Sequence, residues 1–369
     1  MVDRAKQYSN IKYSLEIAGI IYTFLLIFLF LKSGLSKNLA STLSIFSPGF
    51  LAGARHTMPL LLYLFIVSLG YYILNLPLNI YQSYILEHKF SLTTQSLGSW
   101  FKDQFKAGAI SYVISLILVA AFYLILHYNP ASWWLALSIF WIIFSIVLAK
   151  LLPIVIIPIF FKYKKLSDEN LRVRVMKLAA KMKVKILDCF EIDFSKKTLK
   201  ANAAFVGIGN TRRVILADTL KDKYSYDEIE VVLAHEFAHY QLKHLLKLVV
   251  VNSLSTLAIF YLIFRTNAYI LNWFGLSSLN DLASLPVILI YFILFGIITQ
   301  PLEAFISRSF ERSADSLALE TTGLKEAFIS TMDKLAKQNL SDRSPHPIIK
   351  FFFFDHPPID ERIKMARSL

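Results

Sequence analysis

Cysteine is nearly missing from this chain: Cys189 stands alone among 369 residues. One thiol cannot close an intrachain disulfide, and it excludes metal sites built on sets of cysteines. Charge is scarce as well, at 18%, and acidic residues are the scarcer kind, 26 against 39 basic. No internal repeat or low-complexity tract is present, which sets aside solenoids and linker-like chains. What fills the chain is apolar: 56% of residues are hydrophobic and the mean hydropathy is +0.52. That is more than an ordinary soluble domain carries, so the surplus must face lipid. A net charge of +13 raises nucleic acid as a partner. The Lys and Arg residues instead flank apolar runs, as expected beside an anionic leaflet, and no basic stripe with interleaved aromatics stands out. Membrane lipid is the expected partner and nucleic acid is not.

A helical span needs about 20 mostly apolar residues. Such runs lie at Tyr13 to Leu31, Pro59 to Tyr81, Ala109 to Tyr128, Trp133 to Phe161, Leu245 to Phe264 and Leu285 to Thr299. The first is too long, and too poor in a following small-residue cleavage site, for a removed signal peptide. Pro153 and Pro158 should kink or break the end of the fourth. Residues 39 to 54 are apolar but short and contain Pro48 and Gly49, which leaves a seventh span open. The links "HYNPAS" and Thr266 to Ser284 have no Lys or Arg, so both are expected outside the cytoplasm. The charged segments from Lys162 to Glu230 and from Arg308 onward are then both cytoplasmic and can meet. The expected organisation is membrane helices over 1–161, a metalloprotease segment over 162–244, two further spans over 245–307 and a second metalloprotease segment over 308–369.

Between Lys162 and Asp218 the pattern shortens. "SDENLRVRVMKLAAKM" reads as a surface helix capped by Ser167, and "KILDCFEID" and "RRVILAD" as strands flanking the glycine-bearing "KANAAFVGIGNT". The stretch that carries chemistry follows. In "HEFAH", His235 and His239 share one helix face and can share one metal ion. Glu236 stands beside them, where a carboxylate can take a proton from a water that zinc has made acidic. Ser225 and Glu228 in "SYDE" form a capping-box signature just upstream, which supports a helix there.

Two histidines need a third protein ligand. "SRSFERSAD" offers Glu311, with Asp315 four residues on to accept a hydrogen bond from the outer nitrogen of a ligating histidine. The competing reading is a charged juxtamembrane helix pairing with Arg308 and Arg312. His244 is the other histidine nearby. On a continuous helix it is turned roughly 140° from His239, which points it away from the metal and gives it a structural role. In the tail, His356 and Arg362 of "DHPPIDER" are candidates to donate to an oxyanion, while His346 reads as structural or solvent-facing. Glu16, Lys150 and Glu303 are ionisable groups at or near spans, expected at a cavity or snorkelling at an end.

The ordered segments "ILEHKF", "LLPIVIIPIFFKY", "KANAAFVGIGNTRRVILADTL", "YDEIEVVLAHEFAH", "QPLEAFISRSFERSAD" and "DHPPIDERI" resemble the type I CAAX prenyl proteases. These are integral-membrane zinc metallopeptidases of the endoplasmic reticulum, with microbial relatives. The resemblance implies an all-α multi-spanning membrane protein of six or seven transmembrane helices, with an intramembrane chamber and a small α+β zinc metalloprotease domain on the cytoplasmic side. It implies one zinc ion per chain on His235, His239 and Glu311, Glu236 as general base, and Asp315 orienting a ligand. Asn202 and Ala203 would lie on an edge strand that pairs with substrate, and His356 and Arg362 would stabilise the transition state or position substrate. The implied substrate is a membrane-tethered peptide with a C-terminal lipidated Cys. The membrane would be the endoplasmic reticulum in a eukaryote or the inner membrane in a prokaryote. Two other readings stand beside it: a membrane quality-control endopeptidase of the heat-shock type, and a non-catalytic membrane factor with structural zinc. "ANAAF" and "ERSAD" differ from the family's commoner Asn-Ala-Tyr-Phe and aromatic-Gln variants, a difference that bears on substrate preference.

Overall fold

A computed structural model describes residues 3–45, 57–207 and 212–369. Six of its helices are long and apolar enough to cross a membrane: Arg4–Lys32, Met58–Lys89, Leu97–Tyr128, Trp133–Phe160, His244–Trp273 and Leu282–Thr322. Helix α1 (Arg4–Lys32) begins where Asp3 accepts a hydrogen bond from the Ala5 N–H. Gly34, at φ +75°, turns the chain into α2 (Leu35–Ser44). With ten residues α2 is too short to span. The remainder of the expected seventh span, 46–54, lies outside the described residues.

Prolines shape the next helices. Pro77 lies inside α3 (Thr57–Ile80), which passes through a π turn at Tyr81–Ile85 into α4 (Leu86–Lys89). After α5 (Leu97–Tyr128), Pro153 breaks the ladder between α6 (Trp133–Leu151) and α7 (Ile157–Phe160), again as a π turn, Leu152–Ile156. A proline lacks the N–H that the ladder needs, and a π turn absorbs the mismatch. The spans pack through aromatic side chains, with Trp141 stacked on Phe292 at 5.6 Å and Trp133 against Phe122 at 5.8 Å.

Outside the spans, four strands form one sheet in the order β1 (Tyr163–Lys165), β2 (Cys189–Ile192), β4 (Arg213–Ala217), β3 (Ala203–Val206). The two runs expected as strands on either side of the glycine-bearing stretch, β2 and β4, are not antiparallel partners; β3, inside that stretch, pairs antiparallel with β4, Ala203 opposite Leu216, and is an edge strand. Residues 208–211 of the glycine-bearing turn lie outside the described residues. Beyond the hairpin, β2 runs parallel to β4 and β1 antiparallel to β2. Helix α8 (Glu169–Lys181) is capped by Asp168, whose carboxylate accepts from the Leu171 N–H. The expected cap, Ser167, is one residue early, and a carboxylate at that helix end has the more favourable charge. After α9 (Asp218–Lys221), the metal-motif helix α10 (Tyr226–Gln241) starts at the Ser225–Glu228 capping box.

Helix α10 does not run on into the fifth span. Lys243 takes φ +57° and α11 (His244–Trp273) begins at the next residue. Helix α12 (Leu285–Thr322) is continuous through Pro301 and carries both a membrane segment and Glu311. Three further helices follow: α13 (Lys325–Asn339), α14 (Pro347–Phe353) and α15 (Ile359–Ser368). One core joins β2, β4, α8, α10 and α12, with Leu171, Val214, Leu233 and Phe237 almost fully covered. Within it Cys189 is fully buried, and burial pushes its thiol up to about 11.

Glu228 ties α10 to α13. Its carboxylate accepts from the Ser225 N–H, the Ser330 hydroxyl and the Lys334 ammonium, each at 2.7 Å. Burial opposes its charge, yet the Lys334 ammonium, the Ser330 hydroxyl and the Ser225 N–H outweigh burial and hold the carboxyl below the usual range. Glu228→Gln should therefore cost about 1–3 kcal/mol near pH 7. A lowered folded pKa places this stabilisation above the unfolded value of about 4.3 and loses it as pH falls further. Thermal unfolding in detergent should show a gap between wild type and variant that closes below about pH 4. A gap independent of pH would exclude the charge as its source.

Candidate metal centre and active site

The site forms where α10 lies along α12. Ala234 and Ala238 on α10, and Ala314 and Ala318 on α12, are all fully buried in one core cluster. Small side chains at four-residue spacing let two helix backbones approach closely. Glu311 and Asp315 occupy the same turns of α12, and His235 and His239 the same turns of α10. The buried alanines fit a close approach of the two helices.

Three donors converge. His235 Nε2 lies 3.2 Å from Glu311 Oε2, His239 Nε2 lies 3.1 Å from Glu311 Oε1, and the two Nε2 atoms are 3.1 Å apart. Among the described residues, His235, His239 and Glu311 are the group placed to hold a metal ion. Tetrahedral zinc with bonds of about 2.0–2.2 Å sets its ligand atoms roughly 3.3 Å apart, so this spacing fits it. Glu311 Oε2 is buried, and its approach to His235 Nε2 is not a well-formed hydrogen bond, so a cation between the two would satisfy it.

Around the donors stands a supporting layer. Asp315, fully buried, has Oδ1 2.8 Å from His235 Nδ1. Arg362 of α15 donates to both Asp315 oxygens, Nε to Oδ2 at 2.8 Å and Nη2 to Oδ1 at 2.6 Å. A buried carboxylate without a partner would cost several kcal/mol and tend to protonate. Arg362 keeps Asp315 anionic, and that negative charge lies against His235 Nδ1. The tail also delivers His356. Its Nδ1 is 2.8 Å from Asp355 Oδ1 and its Nε2 is 3.4 Å from Glu311 Oε1. Glu236 is half-buried on α10, directly after His235.

The expected site residues fall into distinct places. His235, His239, Glu311, Asp315, His356 and Arg362 come together. Arg362 faces Asp315 with two of its nitrogens, behind the metal donors. Ala203 starts edge strand β3, and the Asn202 carbonyl just before it accepts from the Ala217 N–H at 3.1 Å. Residues 300 and 353 link two cavities of about 600 and 320 Å³ among the spans, and Glu16 and Glu303 line them. His346 accepts from the Ile348 N–H at the start of α14. His244 is the correction. Because the helix breaks at Lys243, its ring is not turned away from His239 but lies beside it, Nδ1 to Nδ1 at 3.0 Å. Ser313 and Phe310, which also touch His244, carried no sequence signal.

A multi-spanning membrane protein with a histidine–glutamate metal centre between two packed helices is an integral-membrane metallopeptidase. The comparisons agree. Residues 165–369 match the model described as peptidase family M48, and residues 1–162 match the CAAX prenyl protease N-terminal model of five membrane helices. The chain belongs to peptidase family M48. It is 31% identical to the uncharacterized metalloprotease YhfN of Bacillus subtilis, over 99% of this chain and 85% of that one. To CAAX prenyl protease 1 of Saccharomyces cerevisiae it is 29% identical, over 98% and 84%. The crystal structure of S. mikatae Ste24p superposes with a TM-score of 0.87 at 25% identity, over 98% of this chain and 88% of that one.

The Arg362–Asp315–His235 relay can be tested directly. Asp315→Asn would turn an amide N–H toward Arg362 or toward His235, and should weaken metal retention about 10–100-fold. Metal content after graded chelator treatment, read by elemental analysis, checks this. Retention equal to wild type would mean that Asp315 does not support the ligand.

Proposed function

We propose that this enzyme is a zinc endopeptidase that cleaves membrane-tethered peptides near their C-terminus, with lipidated CAAX-type peptides as the leading class. The observation that carries the reading is the convergence of His235 and His239 of α10 with Glu311 of α12, a helix long and apolar enough to cross a membrane, with Glu236 next to His235 in the chain. His235, His239 and Glu311 would hold one zinc ion, which supplies Lewis acidity and brings the pKa of a water down to about 7. Glu236 accepts the proton of the attacking water and returns it to the leaving amine, so that the peptide C–N bond breaks without a charged amide leaving group. His356, its Nδ1 fixed by Asp355, presents Nε2–H to the oxyanion of the tetrahedral carbon. Arg362 acts through Asp315 as a positioning residue.

Among the described residues β3 is an edge strand packed against α10 through Phe205 and Phe237, and an extended substrate can add there as a further strand through the Ala203 backbone, with Asn202, whose carbonyl is held by Ala217, beside it. Segments 162–244 and 308–369 work as one catalytic unit. By the distribution of Lys and Arg in the loops, that unit faces the cytoplasm. The CAAX class rests on the likeness to CAAX prenyl protease 1. A general membrane endopeptidase, which needs the same donors and no prenyl recognition, is the second reading, and the likeness to a bacterial metalloprotease is compatible with either.

Glu236→Gln should keep zinc and lower kcat/KM by about 10²–10⁴-fold. Cleavage of a farnesylated CAAX-type peptide and its unprenylated twin, by detergent-purified protein, separates the readings. Chelator-sensitive cleavage of the farnesylated peptide alone supports the CAAX class, and cleavage of both supports the general endopeptidase. Full activity of Glu236→Gln would sink the enzymatic assignment. Thiol reagents should leave cleavage unchanged, because Cys189 is buried with a raised pKa.

A further inference from the structure

His244 sits in an environment that its neighbours specify atom by atom. Helix α10 ends at Gln241, and Lys243 adopts φ +57°, a left-handed conformation that side chains other than glycine rarely take. That single residue redirects the chain so that α11 opens with the His244 ring beside His239. The ring is 2% exposed. Its Nδ1 lies 3.0 Å from His239 Nδ1 and its Nε2 lies 3.3 Å from Ser313 Oγ. Phe310 stacks on its face, centroids 4.5 Å apart and planes 7° from parallel. Ser313 donates to the Phe310 carbonyl at 2.8 Å.

The protons in this chain can be assigned in order. Ser313 has one hydroxyl proton, and the Phe310 carbonyl takes it. Ser313 Oγ can then only accept from His244, which places a proton on His244 Nε2. A neutral His244 ring with Nε2–H has a lone pair on Nδ1. That lone pair is where the Nδ1–H of His239 points. His239 is thereby fixed as the tautomer whose Nε2 lone pair faces Glu311 and His235, the form a metal ligand needs.

We propose that His244 is the positioning residue of His239: a buried neutral imidazole, itself oriented by Ser313 and Phe310, that selects the ligating tautomer of the second motif histidine. The two motif histidines then have unlike supports, a carboxylate for His235 and an imidazole for His239. The proposal rests on the reading of His239 as a zinc ligand and does not depend on which peptide is cleaved.

A packing role and a positioning role predict opposite rankings of two substitutions. His244→Phe keeps a ring against Phe310 but removes the acceptor. His244→Asn gives up the ring but can place an amide oxygen near the position of Nδ1. The measurement is the rate of zinc release from full-length, detergent-purified, zinc-loaded protein to a chromogenic chelator, with thermal unfolding as a check on folding. Release from His244→Phe should be about 10–100-fold faster than from wild type, with His244→Asn within about threefold of it. Faster release from His244→Asn than from His244→Phe, or equal release from all three proteins, would overturn the proposal. Should either variant fail to fold, Ser313→Ala decides. It preserves the packing and frees the His244 tautomer, so release should quicken several-fold, and an unchanged rate would overturn the proposal. Because no peptide is present, a protein that cleaves nothing can still pass this test, and an active protease can still fail it.

Discussion

The close packing of α10 on α12 is the contact on which the rest of the site depends. Ala234, Ala238, Ala314 and Ala318, all fully buried, put nothing larger than a methyl group at those positions. Each helix supplies its chemistry from residues next to those alanines, so the distance between His235, His239 and Glu311 is set by backbone approach. A site made of two rigid helices is held more precisely than one hung on loops. The cost is that two imidazoles, a carboxylate and a second buried carboxylate are crowded together. Arg362, bidentate on Asp315, offsets part of that cost through charge-assisted hydrogen bonds.

Helix α12 also explains why hydrolytic chemistry borders lipid. With 38 residues it is about 57 Å long, at 1.5 Å per residue. A hydrocarbon core of about 30 Å accounts for little more than half of that length. The rest projects beyond the bilayer as an unbroken rod that carries Glu311 and Asp315. On the other side of the site, the chain goes from His239 to the helix of the fifth span in five residues, across the break at Lys243. Both helices that hold the donors are thus continuous with, or adjacent to, membrane segments.

Much of this was legible in the sequence, because the relevant signals are local and periodic. Histidines four apart, a carboxylate pair four apart, and Ser225 with Glu228 each state a helix face or a helix start without reference to the rest of the chain. The spans were legible by hydropathy, although α11 and α12 extend past the apolar runs, because polar residues continue a helix once packing supports it. Non-local pairing was not legible. The parallel β2–β4 ladder joins residues 25 apart, Cys189 and Val214, and no periodicity encodes which strands become neighbours. The Asp168 cap was missed by one residue, a choice between two good capping residues that only the N–H of Leu171 decides.

His244 shows most clearly where extrapolation along a helix fails. Advancing 100° per residue from His239 places it on the far side of α10, and that geometry is sound for an unbroken helix. Lys243 breaks the helix in a conformation that a lysine does not advertise; a glycine there would have signalled it. The consequence is large because a single left-handed residue reorients everything after it. It turns a histidine that would face outward into one enclosed by Phe310, Ser313 and His239. It also sets the direction in which the fifth span departs. One strained residue therefore couples the orientation of a membrane helix to the surroundings of a metal donor. The conformation at Lys243 is flanked by packed residues on both sides, Phe237 and Ala238 of α10 before it and His244, against Phe310 and Ser313, directly after it.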